Sequence, residues 1–151
     1  MAMESFIRNE IHIQAPAAVV WDMLVNPGQT RKYMFGCETV SDWKVGSTLL
    51  WRGVHEGKEM VFVKGNVVKI DPHRLLVYTV FDPFSTMPDI PENYLEVTYE
   101  LIPQNGGTTL KVSQGDYTKV AEGERRYKDS YNGGEGWNPL LVQIKQLIED
   151  K

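Results

Sequence analysis

At 151 residues, with 42% hydrophobic and 24% charged side chains, the chain has ordinary globular composition and enough length to bury roughly 70% of its unfolded surface. A net charge of −4 supplies no basic field for phosphate backbones, which excludes nucleic acid as the expected partner. Cys37 alone closes no internal disulfide, no apolar run approaches the roughly 18 residues of a membrane span, and Met1 to Glu10, carrying Glu4 and Arg8, shows no signal peptide, so no membrane insertion and a cytoplasmic location are expected.

The first predicted strand is Phe6 to Gln14, with Ile7, Ile11 and Ile13 on one face and Arg8, Glu10, His12 and Gln14 on the other. Pro16 suits the first turn of a helix, and Ala17 to Val25 follows, burying Val20, Trp21 and Leu24. Asn26-Pro27-Gly28 stops it, and Gln29 to Met34 adds a further helical turn. The period then changes. Thr48 to Val54, Glu59 to Ile70, Leu75 to Phe81, Tyr94 to Ile102 and Thr108 to Gly115 read as strands rich in Val, Leu, Thr and aromatics. His55-Glu56-Gly57-Lys58, Asp71-Pro72-His73 and Gln104-Asn105-Gly106-Gly107 supply the turn chemistry between neighbours. Leu95, Val97, Tyr99 and Leu101 alternate with Glu96, Thr98 and Glu100, the pattern of an antiparallel sheet covered on one side.

The cover is the C-terminal segment. Trp137, Leu141, Ile144 and Ile148 recur at helical spacing, widened by Leu140 and Leu147, and the stripe projects back onto Gly134, Tyr131 and Tyr127. Gly133, Gly134 and Gly136 interrupt it, each costing roughly 1 kcal/mol of helix stability relative to alanine. Their expected reason is room, a hollow beneath a helix lacking side chains at its middle. Pro139 either kinks this helix or sits at the start of a fresh one capped by Asn138; a bent or two-piece helix is favoured. The fold class is therefore α+β, a curved antiparallel sheet wrapped around a long C-terminal helix, read as one domain over residues 1–151.

These pieces carry a resemblance. Ala15-Pro16 with Val20-Trp21 and Leu24, Val45-Gly46, Gly65-Asn66-Val67-Val68 running through Asp71-Pro72 into Leu75-Leu76-Val77-Tyr78, Val97-Thr98-Tyr99-Glu100-Leu101 with Gly106-Gly107-Thr108-Thr109-Leu110, and Gly136-Trp137 with Leu141 and Leu147 resemble the START-like (SRPBCC) superfamily. More narrowly, they resemble the heat-shock protein 90 ATPase activator homologues. The resemblance implies a helix-grip fold with a cavity between sheet and C-terminal helix. It implies activity less sharply, since members bind lipids, polyketides and hormones and some are enzymes. The chain departs from the pattern at Tyr33-Met34-Phe35, where relatives carry a tryptophan, and in the looser run Tyr131-Asn132-Gly133-Gly134.

No catalytic motif appears. His12, His55 and His73 fall in separate elements and read as solvated histidines, so neither metal nor cofactor is expected. Glu122, Glu124, Arg125, Arg126, Lys128 and Asp129 read as a solvated helix face. Candidate cavity-lining residues are Trp51, Phe62, Phe81, Tyr99, Gln114, Tyr131, Gly134, Trp137 and Leu141, an aromatic wall with a few convergent polar groups. The expected role is carriage or sensing of a hydrophobic small molecule. A cyclase or dehydratase using Tyr131, Asp116 and Tyr127 is the alternative. A chaperone-docking module using Phe84, Met87 and Ile90 of the proline-rich segment Asp82 to Asn93 is another. A homodimer is left open.

Overall fold

Alternating side chains build seven strands in the computed structural model, which describes residues 6–150. These are β1 (Phe6–Ile13), β2 (Glu38–Ser41), β3 (Thr48–His55), β4 (Lys58–Asp71), β5 (Leu75–Val80), β6 (Leu95–Gln104) and β7 (Gly107–Gly115). They form one antiparallel sheet in the order β1-β7-β6-β5-β4-β3-β2. The hairpins are a sequential meander, and β1 returns to the far edge beside β7, pairing Ile11 with Leu110. Each predicted hairpin turn is present. Glu56 and Gly57, and Asn105 and Gly106, all have positive φ, the two-residue geometry whose twist matches that of the flanking strands. A register shift between Trp51 and Arg52 bends β3 against β4.

Two helices connect β1 to β2. The first, α1 (Ala17–Val25), has the predicted bounds and buries Val20, Trp21, Met23 and Leu24. The second, α2 (Pro27–Thr30), begins earlier than the turn expected at Gln29, because the Asn26 side chain accepts from the Gly28 N–H and caps it with Pro27 already inside. β2 was not expected. It is four residues long, too short for a period to show, and tertiary contacts hold it: Thr39 Oγ1 donates to the Val25 carbonyl at 2.8 Å.

The C-terminal cover is in two pieces, α3 (Gly123–Tyr131) and α4 (Asn138–Glu149), joined by a 3₁₀ turn at Asn132–Gly134. Trp137, not Asn138, occupies the cap of α4, and Pro139 lies inside its first turn. Here the expected hollow gives way to a different structure. Gly133, Gly134 and Gly136 have φ of +64°, +101° and +52°, so they reverse the chain between two helices instead of leaving space under one. Beneath α4 the side chains meet: Tyr78, Tyr99, Leu110, Leu141 and Ile144 are each at most 1% exposed. Among the described residues no helix is long and apolar enough to cross a membrane.

Candidate functional site

The alternation along β1 leaves Ile7 inward and places Asn9 at the sheet margin, where α4 and the glycine turn come closest. Asn9 acts as a clamp. Its Nδ2 donates to the Glu135 carbonyl at 3.2 Å and its Oδ1 accepts from the Trp137 N–H at 2.9 Å. One side chain thus satisfies backbone groups that the chain reversal would strand. Gly136 is pressed against this clamp, because a Cβ there would lie 2.5 Å from Asn9 Oδ1 and 2.9 Å from Ile7 Cγ2.

Beside the clamp opens a recess of about 260 Å³ lined by Phe6, Ile7, Arg8 and Asn9 of β1 and by Tyr127, Tyr131, Gly134 and Gly136. Tyr127 and Tyr131, one turn apart on α3, stack at 5.5 Å, and Tyr127 meets the edge of Tyr117 at 5.4 Å. From this recess the chain leads inward. Trp137 donates from Nε1 to Gln114 Oε1 at 2.9 Å, and its ring meets Tyr99 edge-on at 5.9 Å. A larger concavity of about 390 Å³ lies on the outer face of β1, β7 and β6, where Arg8, Glu10, Glu100 and Lys111 interleave opposite charges.

The nine candidate residues therefore separate. Tyr131 and Gly134 line the recess; Trp137, Gln114 and Tyr99 form the connected group behind it. Trp51, Tyr99 and Leu141 belong to the packed core, with Phe62 and Trp137 half-buried against it. Phe81 takes another partner, stacking on Tyr94 at 4.8 Å. Asp116 is occupied at the turn after β7, accepting from the Thr118 N–H and hydroxyl, and these bonds hold its carboxyl below the usual range. His12, His55 and His73 stay apart; His73 packs its ring on Trp21. Burial pushes the Cys37 thiol up, away from the reactive thiolate.

Two hydroxyls meet in the core behind Trp137. Tyr78 and Tyr99 share one hydrogen bond of 2.7 Å, and burial raises both phenols far above their ordinary range, so neither ionises near neutrality. Tyr78→Phe or Tyr99→Phe alone strands one buried hydroxyl and is expected to cost about 1–2 kcal/mol. The double substitution strands none and should cost clearly less than the sum. Urea midpoints of the three variants measure the coupling.

The proline-rich segment between β5 and β6 is pinned at both ends. Asp82 Oδ1 accepts from the Phe84 N–H, Asn93 Nδ2 donates to the Pro88 carbonyl, and Lys64 and Tyr94 both bond Asp89. Of its three apolar candidates, Met87 is buried whereas Phe84 and Ile90 are exposed.

Sequence reasoning missed Asn9, Tyr117 and Arg126. Arg126 corrects the reading of α3 as a solvated charged face, for its residue is only 9% exposed. The available signal was spacing: Gly123, Arg126, Tyr127 and Ser130 fall on one side of the helix.

Comparison with known proteins agrees with this architecture. Residues 14–149 match the family described as Activator of Hsp90 ATPase homolog 1-like protein. A protein of Cytophaga hutchinsonii, solved in solution, is 32% identical with a TM-score of 0.73, the alignment covering 99% of this chain and 97% of that one. The Aha1 dimer of Colwellia psychrerythraea is 16% identical with a TM-score of 0.67, covering 95% and 96%. An HSP90 activator from Plasmodium falciparum is 16% identical with a TM-score of 0.66, covering 97% and 96%. Comparison with curated proteins finds no match. With its α+β helix-grip sheet and a match over nearly its whole length, this chain belongs to the Activator of Hsp90 ATPase homolog 1-like family, within the START-like (SRPBCC) superfamily.

Proposed function

We propose that the protein binds a hydrophobic small molecule (a lipid, polyketide or aromatic) in the recess between β1, α3 and the glycine turn, as a cytoplasmic carrier or sensor. The observation that carries this reading is the 260 Å³ recess walled by Ile7 and the stacked Tyr127 and Tyr131. Its size is near the lower end for ligand pockets, which suits a flat ring or the end of a chain. Burial of apolar area, roughly 25 cal/mol per Å², would drive uptake. Tyr131 and Gly134 would touch the ligand. Trp137 and Gln114 would set the depth it reaches, and Trp51, Phe62, Phe81, Tyr99 and Leu141 would stiffen the wall behind. N-phenyl-1-naphthylamine, a neutral naphthalene dye, is expected to brighten on binding, and Tyr131→Ala to weaken that binding about five- to tenfold with little change in stability. No brightening, together with native mass spectra of protein from its own source showing no bound small molecule, would overturn the reading.

A second reading is docking to a chaperone, favoured by Phe84 at 61% and Ile90 at 43% exposed on the pinned segment and by the HSP90 activator neighbour. The Colwellia dimer likewise supports testing for a second copy of this chain. The cyclase or dehydratase reading has less support, since Asp116 is held by Thr118.

A further inference from the structure

Asn93 closes the proline-rich segment at the end of a short 3₁₀ turn, Pro91–Asn93. It is a polar residue only 6% exposed, and such burial is tolerated where the polar groups are paired. Two of its groups hold the segment to itself. The Asn93 N–H donates to the Ile90 carbonyl and its Nδ2 to the Pro88 carbonyl, both at 2.9 Å. The other two face the chain entering α3. Oδ1 accepts from the Ala121 N–H at 2.9 Å, and the Asn93 carbonyl accepts from Arg126 Nη1 at 2.8 Å. Arg126 Nη1 also reaches the Ala121 carbonyl at 3.4 Å, so Asn93, Ala121 and Arg126 close a ring of hydrogen bonds.

The start of α3 depends on such neighbours. Its N-cap, Glu122, has a φ of +52° and makes no side-chain cap bond, so the first turn is placed from outside the helix. Gly123 is fitted against Tyr117, whose carbonyl oxygen would lie 1.9 Å from a Cβ there. Arg125 holds the helix only to itself, through Glu122 and Asp129 at 2.8 and 3.2 Å. Arg126 instead leaves the helix for the segment. Tyr127 follows it directly, and Tyr131 one turn on; both line the recess. The segment is in turn fixed to the sheet, since Lys64 of β4 and Tyr94 both bond Asp89. A continuous path of bonds therefore runs from β4 through Asp89, Pro88 and Asn93 to the first turn of α3.

We propose that the proline-rich segment sets the affinity of the recess from outside it, with Asn93 as the positioning residue. By holding Ala121 and Arg126 it fixes where α3 presents Tyr127 and Tyr131 to β1. Asn93 is not part of the recess lining, so its effect on a ligand passes through α3. A gap of about 0.5–1 Å forfeits roughly a quarter to a half of a van der Waals contact, so a wall helix set slightly off weakens a flat ligand. The proposal rests on the ligand-binding reading above and adds to it the element that governs the site.

The test compares Asn93→Ala with Thr39→Val, which removes one buried hydrogen bond, to the Val25 carbonyl, at the opposite edge of the sheet. Asn93→Ala should speed amide exchange across residues 127–131 about tenfold and leave α4 unchanged. It should weaken N-phenyl-1-naphthylamine about fivefold. Thr39→Val should leave both readouts within twofold. Arg126→Met cuts the same link from the other side and decides the matter if Asn93→Ala does not fold. Combined, the two variants should weaken the dye by less than the product of their separate effects. Exchange in α3 no faster than in Thr39→Val, or faster exchange with unchanged dye affinity, would overturn the proposal while the recess reading stands. If the wild-type protein takes up no dye, the recess reading fails, and exchange alone decides whether Asn93 holds α3.

Discussion

Gly136→Ala is expected to destabilise the protein by about 3 kcal/mol, whereas Gly133→Ala, three residues away, should cost only about 1 kcal/mol. Both glycines occupy the left-handed region, with φ of +52° and +64°, and an alanine there costs roughly 1–2 kcal/mol from its backbone alone. The two then part company. No atom lies within 4 Å of a Cβ at residue 133, but at residue 136 the methyl would strike Asn9 Oδ1 and Ile7 Cγ2. Relieving that clash moves Asn9 away from the Trp137 N–H and the Glu135 carbonyl, and each bond lost adds about 1 kcal/mol. Urea denaturation of both variants measures the difference. Equal costs would mean that backbone conformation is the whole role of Gly136 and that the Asn9 clamp is incidental.

Leu141→Ala should cost about 3 kcal/mol, while Val142→Ala on the next position of α4 should change stability by less than about 0.5 kcal/mol. Leu141 is wholly buried in the core that includes Ile13, Leu110 and Ile144, and Val142 is exposed. Truncating a buried leucine loses transfer energy and leaves a cavity that close-packed neighbours refill only in part. A cost near 1 kcal/mol would instead show that the space under α4 is already loose, restoring the chamber that the glycine pattern first suggested. The same pair of variants thus separates a filled interior from a hollow one.

Period-two alternation found β6 and β7, because residues two apart must share a face whatever the sheet order. Turn chemistry found the hairpins, since Glu56-Gly57 and Asn105-Gly106 can enter the left-handed region that tight turns require. The limits of α1 followed from Pro16 and Asn26. Candidate site residues were legible as aromatic positions on inward faces. Which of them border open space was not, because that depends on neighbours from other elements: Phe81 meets Tyr94, and Trp51 meets Tyr78 at 6.3 Å.

Local sequence by itself determined every strand but β2, the turns, the first helix and the amphipathic closing stripe, all of which depend on interactions within a few residues. Only the tertiary structure decided the rest. Whether three glycines leave a void or reverse a chain depends on how near β1 approaches, more than 120 residues earlier. Whether Arg126 faces water or carbonyl groups depends on where Asn93 ends its loop. Both are contacts between distant parts of the chain, and a pattern of neighbours carries no record of them.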